Sequence, residues 1–517
     1  MAKRYFRLMV LIVFAYSGML ITACSTLQVE QKREISVAFS NSSHTSLGQI
    51  FPSTSIPHPK QSGFLLLNTG QDALLKRFTL LGAAEQAIDL QYYIWNSDKS
   101  GRLLAQQLLT AADRGVHVRL LLDDFSIGGR DDLLLIMDAH PNIEIRIYNP
   151  NASRKGKIRK TLGFISEFGR LNQRMHNKSF IVDGSVAIVG GRNIGDEYFD
   201  LNHELNFRDR DILTVGPIVA EVAKSFDSYW NNERAFSITK LVKGSPDNAE
   251  VLIFRKSVQE KILQDNLTIS VKNNDFKVWL SDMIWAQAEI VYDQVRAIDD
   301  IDHNTRKHVA NSLREVANGS TRELLIESAY LVPGDDAVML LKELVGRKVK
   351  VIAITNSLAS NDLTTNHSGY ARRRQELLEN GAELFELRPD AQSCQDLIKG
   401  SISCDEALFG LHAKSAVFDR EVVFIGSFNF NQRSIYLNSE LGLLIYSSEL
   451  AEIIAHDIEQ NFSLENSWQV VLDEKNNLQW NGIKDGVEVQ YSHEPETGFW
   501  RRFNSGFFSI FPIEKYL

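Results

Sequence analysis

Cysteine is scarce in this chain: three residues in 517, Cys24, Cys394 and Cys404, none at the spacing of a thiolate metal site. A metal centre built on thiolates is thereby excluded, and neither a metal nor a cofactor is expected. An excess of positive charge is missing as well. With 56 Lys and Arg against 65 Asp and Glu the formal charge is −9, whereas a duplex nuclease needs a basic surface to neutralise phosphates. Nucleic acid is therefore not the expected partner. The apolar run from Leu8 to Ala23 falls short of the roughly 20 residues that span a bilayer. What the chain does have is bulk: 517 residues, 44% of them hydrophobic, suffice to bury two substantial cores.

One pattern occurs twice. His176, Lys178 and Asp183 stand as H-x-K-x4-D, and six residues later the chain reads Gly190-Gly191-Arg192-Asn193. His412, Lys414 and Asp419 repeat the spacing and lead, across the same gap, to Gly426-Ser427-Phe428-Asn429. In each copy two short apolar runs flank a polar turn, Asp183-Gly184 or Asp419-Arg420, which predicts a buried hairpin. Alternation along the strand puts His and Lys on one face. Two copies supply two imidazoles, two ammonium groups and two amides. These are the nucleophile, the acid and the fixed positive charge that a phosphodiester reaction needs. Asp183 and Asp419 are grouped with the catalytic set, as site architecture more than as reactants, because an Asp opening a hairpin turn serves local hydrogen bonding.

The repeat extends outward. Ala87 to Trp95, a helical stretch and Arg114 to Leu122 are echoed by Leu324 to Pro333, another helical stretch and Gly346 to Ile352; Tyr93 lies 83 residues before His176, and Tyr330 lies 82 before His412. Each half reads strand, helix, strand, helix, hairpin, which favours a mixed sheet with helices on both faces.

These residues resemble the duplicated HKD motif of the phospholipase D superfamily over roughly residues 64 to 470. The resemblance implies two tandem α/β domains with mixed sheets flanked by helices, related by a pseudo-two-fold axis, with the active site at their interface and no obligatory metal. It further implies ping-pong transfer. His176 would attack phosphorus, His412 would serve as acid and base, and Lys178, Lys414, Asn193 and Asn429 would hold the phosphoryl oxygens. Glu440 matches the acidic residue that in this family orients an imidazole. Its first-half counterpart is Glu204 by equal spacing from the Asn, or Asp209 by alignment of the following strand, and Asp209 is preferred. The segments DLQYYIW and AADRGVHVRLLLDD and the C-terminal end resemble the cardiolipin synthase C branch. That branch implies a phosphatidyltransferase making cardiolipin from membrane phospholipids, with phosphatidylglycerol and phosphatidylethanolamine as substrates. A phospholipase D-type hydrolase is the rival reading, and a non-catalytic lipid-anchored phospholipid-binding protein a third.

At the N-terminus, Lys3, Arg4 and Arg7 precede the apolar run that ends Ile21-Thr22-Ala23-Cys24, which resembles a bacterial lipobox. The expectation is a signal peptide over 1–23, lipid attached at Cys24, a periplasm-facing enzyme with the outer membrane favoured, and a polar tether over 24–63. In that compartment Cys394 and Cys404 are close enough to form a disulfide. The remaining boundaries are a first domain at 64–240, an intervening segment at 241–320, a second domain at 321–470 and a C-terminal segment at 471–517. In the last, Phe499, Phe503, Phe507 and Ile510 share a helical face suited to a lipid interface. A basic run, Arg154, Lys155, Lys157, Arg159 and Lys160, leads into the first motif.

Overall fold

The computed structural model describes residues 34–517 apart from 53–57, 128, 155, 245, 265–275, 298–299, 301–306, 394–406 and 512–513. Cys24, Cys394, Cys404, Lys155 and the leader lie outside the described residues.

The strands of the first unit are β1 (Ser62–Leu67), β2 (Ala87–Tyr92), β3 (His117–Asp123), β4 (Ile143–Tyr148), β5 (Ser179–Val182), β6 (Val186–Gly190), β7 (Leu205–Arg208), β8 (Asp211–Val215) and β9 (Ala235–Ser237). Those of the second are β10 (Ile284–Tyr292), β11 (Glu323–Ser328), β12 (Lys350–Asn356), β13 (Glu383–Leu387), β14 (Leu408–Leu411), β15 (Lys414–Phe418), β16 (Val422–Gly426), β17 (Leu441–Tyr446), β18 (Ser467–Leu472), β19 (Leu478–Lys484) and β20 (Val487–Tyr491).

Spatially the first unit runs β9-β4-β3-β2-β5-β6-β8-β1. The second runs β18-β13-β12-β11-β15-β16-β17-β10, with β19 and β20 added beyond β18. The two orders are the same, and β1 pairs antiparallel with β10, so the units join edge to edge about a pseudo-two-fold axis. In each unit β2-β3-β4 or β11-β12-β13 is parallel, as its helical crossovers require, and the hairpin strands are antiparallel.

The sequence explains these elements. β5, β6 and β15 are buried on both faces, and their apolar runs Phe180-Ile181-Val182, Val186-Ala187-Ile188-Val189 and Ala416-Val417-Phe418 are continuous. The hairpins close on Asp183-Gly184 (φ 49° and 59°) and Asp419-Arg420 (φ 52° and 55°), two successive left-handed residues of the kind that matches strand twist. Helices start on side-chain caps: Thr69 accepts from Asp72 N, Asp98 from Gly101 N and Ser447 from Leu450 N. One apolar core lies in each unit. A third is shared, with Ile181, Val189 and Ile212 of the first unit packed together with Leu325, Val417 and Leu443 of the second.

Two expectations are corrected. Residues 34–51 are no free tether: Asn231 and Asp227 accept from the backbone of Ser36 and Ala38, and Leu47 and Phe51 are buried in the first core. Nor does 241–320 stand apart. The helix Asn248–Gln264 lies on the helix Lys99–Asp113 of the first unit through Arg255 and Asp113, and Trp279 enters the first core. β10 and the helix His308–Gly319 open the second unit as β1 and the helix Gly70–Ala83 open the first. The helix His308–Gly319 is thus the counterpart of residues 70–83. Among the described residues no helix is long and apolar enough to cross a membrane.

Candidate active site

Two backbone exchanges across the seam carry the site. β7 pairs in parallel with β14, and Arg208 O accepts from both His412 N and Ala413 N. On the other side Arg174 O accepts from Ser439 N, and Ser439 O accepts from His176 N. Each His is therefore fixed to backbone of the opposite unit.

The carboxylates cross in the same way. His176 Nδ1 lies 2.8 Å from Glu440 Oε2, and His412 Nδ1 lies 2.5 Å from Asp209 Oδ2. Because an ionised carboxylate only accepts, each Nδ1 carries the proton and each Nε2 presents a lone pair. Glu204 is exposed at the start of β7, away from either imidazole. The structure thus places Asp209 against His412, beside a glycine that makes room for it: a Cβ on Gly191 would lie 2.1 Å from Asp209 Oδ1. The second unit has Ser427 at that point, and its hydroxyl donates to Glu440 Oε2 at 2.5 Å.

The two pairs differ in their surroundings. Glu440 also accepts from Ser434 Oγ at 2.7 Å, and its backbone N–H donates to buried Asp293. Burial pushes Glu440 up, but the charges of His176 and Lys178 and the Ser427 hydroxyl outweigh it and hold the carboxyl below its ordinary value. Among the described residues Asp209 accepts from the Arg210 N–H besides His412, and burial raises it against the pull of Lys414 and Arg192. Its neighbours Arg208 and Arg210 are locked to Glu327 and Asp457 of the second unit, which fixes the turn carrying Asp209.

Lys178 and Lys414 are buried, each donating to the carbonyl of its own motif His. Among the described residues neither forms a salt bridge. Burial, and for Lys178 the charge of Lys414, pushes Lys178 down to about 7; burial pushes Lys414 down to about 8. His176 falls to about 4, by burial and then Lys178, and His412 falls well below its ordinary value by burial and the two lysines. Lys178 and Lys414 are thus two cations available to a phosphate anion between the two imidazoles.

Asn193 is held by Ile94 N–H and donates to Tyr198 Oη, whose ring meets His412 at 5.0 Å; Asn429 Oδ1 is buried without a hydrogen-bond partner. Such an amide suits a ligand oxygen, its own oxygen and nitrogen being interchangeable in assignment. Tyr93 meets His176 edge-on at 5.0 Å, and Phe207 packs on His412 at 5.2 Å. Tyr93 served in the sequence only as a marker of the repeat, and nothing in spacing alone signalled Tyr198, Phe207, Ser434 or Asp293.

Asp183 and Asp419 are corrected as catalytic residues. Each sits at the hairpin tip, seven residues of largely extended chain from its His, roughly 20 Å. There Asp183 accepts from Glu85, Gln86 and Ala87 N–H and Asp419 from Thr321, Arg322 and Glu323 N–H, tying the tip to β2 or β11. Their part of the repeat is structural.

The family described as "Cardiolipin synthase, PLD-like domain" matches residues 78–230 and 313–462. Cardiolipin synthase C of Escherichia coli (strain K12) is 38% identical over 465 residues, 88% of this chain and 96% of the relative. A protein of Helicobacter pylori (strain J99), described as uncharacterized, is 30% identical over 90% of this chain and 92% of its own length. The crystal structure of phosphatidylserine synthase from Haemophilus influenzae shares the fold at a TM-score of 0.55 and 13% identity, covering 81% of this chain and 89% of that one. The outer-membrane, lipid-anchored placement expected from Cys24 is corrected: the similarity to cardiolipin synthase C of E. coli does not uphold it.

Proposed function

The chain belongs to the cardiolipin synthases with phospholipase D-like domains, and from that premise we propose that it transfers a phosphatidyl group to phosphatidylglycerol, making cardiolipin through a phosphohistidine. The observation that carries the reading is the pair of Nδ1-anchored imidazoles together with two buried lysines that form no salt bridge among the described residues. As an enzyme of the phospholipase D superfamily it acts on membrane phospholipids; the donor and acceptor are the proposed part.

In the first step His176 Nε2 attacks phosphorus of the donor, and the bond to the head-group oxygen breaks. His412, protonated as the bound anion offsets the lysine charge, gives that oxygen its proton and releases ethanolamine or glycerol. In the second step His412 takes the proton of the phosphatidylglycerol hydroxyl, which attacks phosphorus and expels His176. What supports this division of labour is the difference between the carboxylates. Firmly ionised Glu440 strengthens His176 as a nucleophile and steadies its positive intermediate. Asp209, raised by burial, suits a His that exchanges a proton in each half-reaction.

Purified full-length protein, given vesicles of phosphatidylglycerol and phosphatidylethanolamine, should form cardiolipin and release the donor head group, read by mass spectrometry. Phosphatidic acid as the sole product would make the enzyme a hydrolase instead.

The charge state sets a pH profile. His176 acts deprotonated, so kcat/KM on a p-nitrophenyl phosphodiester, whose leaving group needs no acid from His412, should rise with pH through about 4; the lysines act protonated, so it should fall through about 7 to 8. Full activity retained at about pH 10 would show that the lysines do not supply the phosphate-binding charge.

A further inference from the structure

The helix Phe499–Ser509 is turned the wrong way round for water. Its basic residues face the protein: Arg501 Nε donates to Leu358 O at 2.8 Å, the Arg501 guanidinium also donates to Asn361 O, and Arg502 Nη1 donates to Thr497 O at 2.6 Å. Its aromatic residues face outward, with Trp500 72%, Phe499 65% and Phe503 52% exposed and Phe507, Ile510 and Phe511 continuing the face. A soluble amphipathic helix buries its apolar stripe, and an apolar patch of this size on a soluble surface marks an interaction site.

A second helix, Lys157–Ser166, does the same. Ile158 (77% exposed), Leu162 and Ile165 repeat at positions i, i+4 and i+7, followed by exposed Phe168, with Arg159 also exposed among them. The C-terminus links the two helices, since the Phe168 and Tyr516 rings lie 5.7 Å apart and Arg433 donates to both Tyr516 O and Asn172 O.

Both helices adjoin the catalytic cleft, the helix Lys157–Ser166 through Asn151, whose side-chain amide donates to Lys160 O and whose backbone N–H donates to Asp124 Oδ2 beside Phe125. Asn361, which holds Arg501, is followed by exposed Asp362, which accepts from Tyr330 Oη at 2.9 Å, and the Tyr330 ring lies 6.5 Å from His412. On the first unit exposed Phe125 stacks on Tyr93 at 5.7 Å, and Tyr93 meets His176.

We propose that the helices Phe499–Ser509 and Lys157–Ser166, with Phe125 at the rim, form a docking face for the surface of a phospholipid bilayer and hold the cleft over the head groups. The inference rests on the reading of the cleft as a phosphatidyltransferase site. The bilayer is the occupant because the substrates reside in it and the patch is continuous with the cleft that must reach them. Large aromatics with a basic residue among them are the side chains that settle at an acyl boundary.

The test uses the full chain with Phe503→Ser and Phe507→Ser combined, outside the catalytic machinery. Flotation with phosphatidylglycerol/phosphatidylethanolamine vesicles should show binding reduced about tenfold or more, and vesicle-supported turnover should fall in parallel. Turnover of a short-chain phospholipid dissolved as monomers should stay within about twofold. Unchanged flotation would overturn the proposal. Equal loss on both substrates would also overturn it, making the helix a structural brace. Dissociation of a wild-type oligomer in the variant, with flotation intact, would assign the face to a second copy. If the wild type floats but turns over neither substrate, the docking face stands and the transferase reading falls.

Discussion

Replacing either motif His by Ala should lower turnover on the order of 10⁴-fold or more while leaving the circular dichroism spectrum and the unfolding transition nearly unchanged. In the proposed mechanism the two imidazoles act in every half-reaction, so neither unit would retain a partial site. The backbone on both sides of the seam stays paired, because the exchanges run through Arg208, Ser439 and Arg174, whose hydrogen bonds to the motif backbone survive truncation of the ring. The two variants should nevertheless differ when the leaving group is activated. A p-nitrophenyl phosphodiester needs no acid, so His412→Ala should still load His176 and accumulate a covalent adduct in about one equivalent, whereas His176→Ala should load nothing. Adduct on His412 in the first variant's counterpart would reverse the assignment, and near-normal turnover by either variant would remove the two-histidine mechanism.

Much of this architecture was legible in the sequence because the chemistry is duplicated. The hairpin repeat placed β5-β6 and β15-β16, since an apolar run on each side of a two-residue polar turn admits few other structures. The strand-helix-strand order repeated around Tyr93 and Tyr330 pointed to a mixed sheet. Three features were hidden for physical reasons. Asp183 and Asp419 share the motif with the reacting groups, yet the same spacing serves a tip that ties down three N–H groups, and composition does not separate the two uses. β10 and its helix went unassigned because an edge-joining strand is partly exposed and alternates irregularly. The crossing of the carboxylates is a property of the seam: Asp209 and Glu440 touch Gly191 and Ser427 of their own motifs, yet each orients the His of the opposite motif.

That crossing makes its own prediction. Asp209→Asn keeps shape and volume, and buried Arg208 and Arg210 keep their partners Glu327 and Asp457, so the unfolding midpoint should stay within a few degrees, roughly the effect of 1 kcal/mol or less in a protein of this size. The catalytic cost should be large. An amide nitrogen turned toward His412 Nδ1 donates where the carboxylate accepted, which moves the imidazole proton to Nε2, the nitrogen that must take a proton from the acceptor hydroxyl. A loss of about 10² to 10⁴ in kcat is expected for such a tautomer error, with KM little altered because Lys178 and Lys414 still hold the phosphate. Since Asp209 belongs to the first unit and His412 to the second, the deficit should fall on the proton-transfer steps. With an activated p-nitrophenyl donor, release of p-nitrophenol should survive and transfer to the acceptor alcohol should stall. If both half-reactions slowed equally, Asp209 would be holding the seam together and not orienting His412, and the two-carboxylate account of the site would have to be withdrawn.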